Sequence, residues 1–130
     1  LSTRTVIHAD KGARLKAPLS HAVKVGSLVF VSGTPGYFGD RQLAKGDFEA
    51  QFRQAMANVE AVLEASASSL ARVCKVNIIL ARREDFWPMN DLYRAYFAEG
   101  DFPARTTIIA GLPIDDMLIE IECVAEVEPQ

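Results

Sequence analysis

Cysteine is scarce in this chain: Cys74 and Cys123 stand far apart, and no Cys-x-x-Cys spacing occurs. A disulfide framework or a thiolate metal motif therefore has nothing to rest on, and two thiols in apolar contexts are expected to be buried and free in a reducing cytoplasm. Long apolar runs are missing too. Leu28 to Val31 and Ile78 to Ala81 are the longest, far short of the ~20 residues that span a bilayer. The first residues lack the charged-then-apolar order of a secretory leader, so a cytoplasmic location is expected. Neither Gly-x-Gly-x-x-Gly nor a Walker pattern is present, and no nucleotide cofactor or metal is expected. Positive charge is in slight deficit, 14 Lys+Arg against 17 Asp+Glu, for a net charge of -3 and a pI near 5.4. Arg82-Arg83 is the only tight basic pair, which suits solubility and poorly suits a phosphate backbone, so neither nucleic acid nor membrane is expected as a partner.

What is present is an ordinary apolar complement: 49% hydrophobic and 24% charged residues, with a mean hydropathy of +0.07. Such a chain can bury enough surface to fold, and 130 residues are expected to form one domain, 1–130. Residues 3–8 read as a strand and 9–19 as a loop. Residues 21–25 and 28–32 are β-rich runs about Gly26-Ser27, a hairpin signal. A loop follows over 33–46 with four glycines and Pro35. Asp47 then caps a helix over 47–65, whose Phe48, Phe52, Ala55, Met56, Val59, Val62 and Leu63 recur at steps of three and four. After a connection over 65–69, residues 73–80 return to strand chemistry, with Cys74, Val76, Ile78 and Leu80 on one face. Asp85 caps a second helix, with Phe86, Met89, Tyr93, Tyr96 and Phe97 as its stripe, closed by 100–103. Strands over 105–110 and 117–127 finish the order βββαβαββ. This is an α+β domain with two helices on one face of a single sheet.

The last two strands are expected to form an antiparallel hairpin. Closing it at Ala110 opposite Met117 pairs Thr106 with Ile121 and Ile108 with Ile119 on one apolar face. The other face then pairs Arg105 with Glu122, Thr107 with Glu120 and Ile109 with Leu118. The bland reading is a surface ion pair with a solvated Glu120. Against it, Ile109, Leu118 and Val124 suggest that the second face is also covered, most naturally by another copy of the chain. A charged cluster half-buried between subunits is a candidate site.

Phe102-Pro-Ala-Arg-Thr-Thr107, Gly111-Leu-Pro113 and Ile119-Glu-Ile-Glu122 with Val124-Ala125 closely resemble the C-terminal signature of the Rid/YjgF family of reactive-intermediate (enamine/imine) deaminases. Supporting matches are Gly26 through Val31-Ser32-Gly33, Asn58-Val59, and Asn90-x-x-Tyr93-x-x-x-Phe97. The resemblance implies a chorismate-mutase-like fold, mixed in its strand directions, and a homotrimer with sites between subunits. It implies hydrolysis of small 2-enamino or 2-imino acids to the 2-oxo acid and ammonia, without cofactor or metal. By the same resemblance Arg105 grips the substrate carboxylate, a task that suits its planar fork. Glu120 matches the glutamate that activates water. Gly33 and the Thr107 backbone line the same cleft.

The chain departs from the archetypal RidA pattern at Thr107, where cysteine is usual, and at Leu19, where tyrosine is usual, so it is placed outside that subgroup. Alternatives are a 2-aminomuconate-type deaminase of aromatic catabolism and a non-catalytic trimeric protein that binds small carboxylates. A ribonuclease reading fits poorly with the acidic balance. Glu122 is read as holding Arg105 in place. His21, beside the Pro18 loop, is read as a structural histidine near the cleft, and Phe86 and Trp87 as core or interface. Tyr37 and Phe38, in the glycine-rich loop, are candidates for a lid.

Overall fold

A computed structural model describes residues 3–9 and 17–129. Its strands are β1 (Thr5–Ile7), β2 (Ala22–Val25), β3 (Leu28–Pro35), β4 (Val73–Leu80), β5 (Ala104–Ile109) and β6 (Ile119–Glu126). Its helices are α1 (Phe48–Ala65) and α2 (Phe86–Tyr93), so the βββαβαββ order is present. The six strands form one sheet in the order β1-β2-β3-β6-β4-β5. The β4–β5 pair is parallel and the rest are antiparallel.

The apolar stripe expected for α1 is buried throughout, and the Asp47 carboxylate accepts from the Ala50 backbone N–H at 3.0 Å, closing the first turn. This stripe packs on the sheet face carrying Val29, Val31, Val76, Ile78, Leu80, Ile119, Ile121 and Ala125. Met89 and Tyr93 of α2 cover the end of that face nearest β5. The helix is shorter than its stripe suggests, ending at Tyr93 with a tighter turn over Arg94–Tyr96. Asp85 does not cap it by a side-chain hydrogen bond. Its buried carboxylate is taken by Arg82, bidentate at 2.8 and 2.9 Å.

The expected β5–β6 hairpin does not form, because β4 lies between the two strands. Strand β6 alternates buried and open positions over eight residues and pairs on both edges, with β3 and with β4. Strand β5 has no fully buried residue and takes the edge. A strand that returns through a crossover helix lies parallel to its predecessor, and α2 is that crossover. The arrangement also turns β5 over, while β6 keeps its expected faces, with Ile119, Ile121 and Cys123 in the core. Arg105 and Thr107 lie beside Val76 and Ile78, on the helix side, whereas Glu120 lies beside Ile79 and Glu122 beside Asn77, on the opposite side. Arg105 and Glu122 therefore form no pair.

Two smaller expectations also change. Cys74 is exposed, since a register shift between Val73 and Lys75 takes it out of the alternation, while Cys123 is buried. The segment Gly33–Pro35 belongs to β3 rather than to the following loop. Within the expected 9–19 loop, residues 10–16 lie outside the described residues. No helix among the described residues is long and apolar enough to cross a membrane.

Candidate functional site

Arg105 sits on the edge strand with its guanidinium 4.9 Å above the Tyr93 ring, and its Nη1 lies 3.8 Å from the Met89 sulfur. An aromatic face and a thioether orient the cation without neutralising it. No carboxylate pairs with it among the described residues. Together with Asn90, Tyr93, Arg94, Phe102 and Pro103 it lines a cavity of 260 Å³. Two buried hydroxyls in this part of the chain lack partners, Tyr93 Oη and, two residues along β5 from Arg105, Thr107 Oγ1. An unpaired buried hydroxyl carries a desolvation cost that a ligand or water can relieve. Burial pushes the Tyr93 hydroxyl up to about 12, against the opposing pull of Arg105.

Glu120 belongs to a second cleft, on other walls. Strand β3 carries a bulge between Val31 and Thr34, and within it Gly33 comes directly against the Glu120 carboxyl. A Cβ at Gly33 would overlap Oε1 and stand 2.9 Å from Cδ. Bulges of this kind re-aim groups beside functional sites. Burial raises the Glu120 carboxyl above the ordinary carboxylate range, and the nearby Glu122 adds to the rise. The cleft before Glu120 measures 370 Å³, and its walls include Leu19, His21, Gly33, Tyr37, Ile114 and Met117. Glu122 turns away to accept from Asn77 Nδ2 at 2.8 Å.

The fold thus joins Gly33 to Glu120 and places Thr107 two residues along the same strand from Arg105, but it separates the two groups across the sheet. Their cavities share no lining residue. Tyr37 lines the Glu120 cleft, whereas Phe38 is exposed and bridges to Gln42 through two backbone hydrogen bonds. That loop is tied down rather than free. Asn58 Nδ2 donates to the Pro35 and Tyr37 carbonyls, and Gln51 Nε2 to that of Ala44. His21 Nδ1 accepts from the Ala9 N–H at 2.9 Å. Phe86 and Trp87 line neither cavity. Among the described residues no three His, Cys, Asp or Glu side chains converge on a possible metal position. Sequence reasoning gave no site role to Arg94, Phe102, Pro113, Ile114 or Met117. The Pro-Ala-Arg string beside Phe102 and the Gly-Leu-Pro string that leads to Ile114 and Met117 were the available signal, and Arg94 had none.

The model of the family described as endoribonuclease L-PSP matches residues 11–127. A RutC family protein of Pyrococcus horikoshii is 38% identical over 124 residues, which are 94% of this chain and 97% of that protein. A 2-iminobutanoate/2-iminopropanoate deaminase of Dermatophagoides farinae is 33% identical over 130 residues, 98% of this chain and all of that one. Among solved structures, a protein of the conserved Rid family from Yersinia pestis superposes with a TM-score of 0.90 at 30% identity, covering 96% of this chain and 100% of its own. With a fold, a motif set and a family model that agree over nearly the whole length, the chain belongs to the Rid/YjgF family, whose family model carries the name endoribonuclease L-PSP.

Proposed function

We propose that this chain is a hydrolytic deaminase of 2-enamino and 2-imino acids, working as a homotrimer whose sites are completed between subunits, in the cytoplasm and without a cofactor. The observation that carries this reading is the separation of Arg105, a cation lacking a carboxylate partner, from Glu120, a carboxyl raised by burial, on opposite faces of one sheet. A second copy can bring the two together. The sheet face away from the helices offers a surface for that contact, with Phe30 46% and Ile108 49% exposed, more apolar display than a solvent face needs. The imine deaminase named among the relatives supplies the chemistry.

In this reading Arg105 of one subunit holds the substrate carboxylate through two parallel hydrogen bonds. Glu120 of the next takes a proton from water as the water oxygen bonds to C2 of the iminium. The C=N electron pair moves to nitrogen. Glu120 then returns its proton to that nitrogen, the C2–N bond breaks, and the hydroxyl oxygen becomes the carbonyl, its proton leaving with the amine as ammonium. Water and substrate supply every atom. The backbone at Gly33 and Thr107 shapes the pocket.

The test is ammonia release from an imine generated in situ by an amino-acid oxidase. Wild type should accelerate it, and Arg105→Ala and Glu120→Gln should each abolish the acceleration. Co-expressed at equal amounts, the two inactive chains should regain about a quarter of wild-type activity, because every mixed ring contains one intact site. Inactive wild type, or no regain from mixed rings that do assemble, would refute the proposal. Ligand binding that survives Glu120→Gln but not Arg105→Ala, without turnover in wild type, would favour a binding protein.

A further inference from the structure

We infer that the substrates this chain turns over best are 2-imino acids bearing apolar side chains of four or more carbons, branched or aromatic, rather than the alanine- and aminobutyrate-sized imines. The inference rests on the deaminase reading and concerns which substrate the Glu120 cleft fits. With the imine carbon beside Glu120 and the carboxylate turned to Arg105 of a neighbouring copy, the side chain has the 370 Å³ cleft to enter. A water claims about 30 Å³ of liquid and a methyl group is of similar size, so the space corresponds to on the order of ten such groups. A methyl side chain would leave most of it to water held against apolar walls.

Those walls are Leu19, Pro35, Val62, Pro113, Ile114 and Met117. Two of them, Leu19 and Ile114, are 45% and 49% exposed at the mouth. Large aliphatic side chains open to water at a concave rim are what an apolar ligand would cover. The cationic candidates in the cleft are already engaged. Arg41 pairs with Asp40 at 3.2 Å, and His21 Nδ1 accepts from Ala9. A second carboxylate at the far end of a substrate would therefore meet cations already engaged, among aliphatic walls and the Ser32, Thr34 and Tyr37 side chains. The walls are also held in place before any ligand arrives. Buried Gln51 donates to the Asp116 carbonyl and accepts from the Leu118 N–H, both at 2.9 Å, which fixes Met117 between them. A preformed apolar pocket rewards each added methylene, by roughly threefold to fourfold in kcat/KM.

The experiment compares imines generated from alanine, 2-aminobutyrate, leucine, phenylalanine and aspartate at matched flux, using the full chain. The leucine- and phenylalanine-derived imines should exceed the alanine-derived one in kcat/KM by on the order of 10- to 100-fold. Leu19→Asn and Ile114→Asn, at positions exposed enough to tolerate the change, should each shrink that ratio by several-fold. A flat or reversed series, a preference for the aspartate-derived imine, or a ratio untouched by both substitutions would overturn this inference and leave the deaminase reading standing. Hydrolysis of none of the imines would overturn the deaminase reading, and this inference with it.

Discussion

Gly33→Ala separates the catalytic role proposed for Glu120 from the stability of the fold. The backbone at Gly33 is not in the left-handed region, so the added methyl brings no φ strain, and its cost is the contact alone. That contact is with the Glu120 carboxyl, with Cδ at 2.9 Å and Cγ at 3.3 Å from the new Cβ and Oε1 closer still. Ordinary carbon contacts begin near 3.5 Å, so the carboxyl must swing by roughly an ångström. It can do so, because it is the far end of a flexible side chain and is half-buried rather than locked. The fold should therefore lose no more than about 1 kcal/mol. A displacement of that size at a general base is worth about 100-fold in rate. The assay is kcat/KM on the best imine substrate beside a thermal melt, with Gly36→Ala as the contrast. There the new Cβ would meet the backbone of α1 at Gln51, with Cα at 2.9 Å and C at 3.0 Å, which cannot rotate away. That variant should cost about 1–3 kcal/mol of stability. Wild-type activity in Gly33→Ala, or a melt lowered as much as in Gly36→Ala, would refute the placement of Glu120 at the reacting centre.

Glu122→Gln should move the acid limb of the pH–rate profile to lower pH, because the nearby Glu122 adds to the burial that raises Glu120, and the base must be ionised to act. The direction for stability is opposite to that for rate. A carboxyl raised on folding favours the folded state below its unfolded pKa and gives up that contribution as pH rises through the folded value, so removing the neighbour should flatten this slope in a pH series of melts. Gln51→Ala should cost about 2–4 kcal/mol in denaturant unfolding, since it strands the Leu118 N–H and the carbonyls of Ala44 and Asp116. Phe30→Glu, on the sheet face away from the helices, should break the proposed trimer to a monomer by light scattering, inactive and still folded by circular dichroism; an unchanged assembly would place the interface elsewhere.

The first helix was fully legible, because seven apolar residues at helical spacing admit one buried face and Asp47 marks where it starts. The strands were legible as segments, with boundaries off by at most three residues, the largest miss being the end of β3. Their pairing was not. Nearness in sequence favoured a β5–β6 hairpin, and an alternation of period two cannot say which strand lies alongside. Two signals did point the other way. Strand β6 carries a long, deeply buried apolar face, which suits the middle of the sheet, whereas Arg105, Thr106 and Thr107 make β5 a better edge. The connection between β4 and β5, over 81–103, is also long enough for a parallel crossover. The glycine-rich loop illustrates a different limit, since its hydrogen bonds come from Asn58 and Gln51 on α1, partners that composition cannot reveal.

The pairing also decides what kind of site this chain can own. In a β5–β6 hairpin, Glu122 would neutralise Arg105 and a single chain would hold arginine and glutamate on one surface. With β4 interposed, Arg105 keeps its charge over Tyr93, while Glu120 on the far face has another carboxylate for a neighbour. The two faces carry unlike, uncompensated groups, so an isologous contact would set arginine against arginine. A head-to-tail contact sets arginine against glutamate, leaves the same pair of faces open on the next copy, and is satisfied throughout only when the ring closes. In the proposed trimer a closed ring and a complete site are the same condition, so the loss of assembly and the loss of either residue should be kinetically indistinguishable.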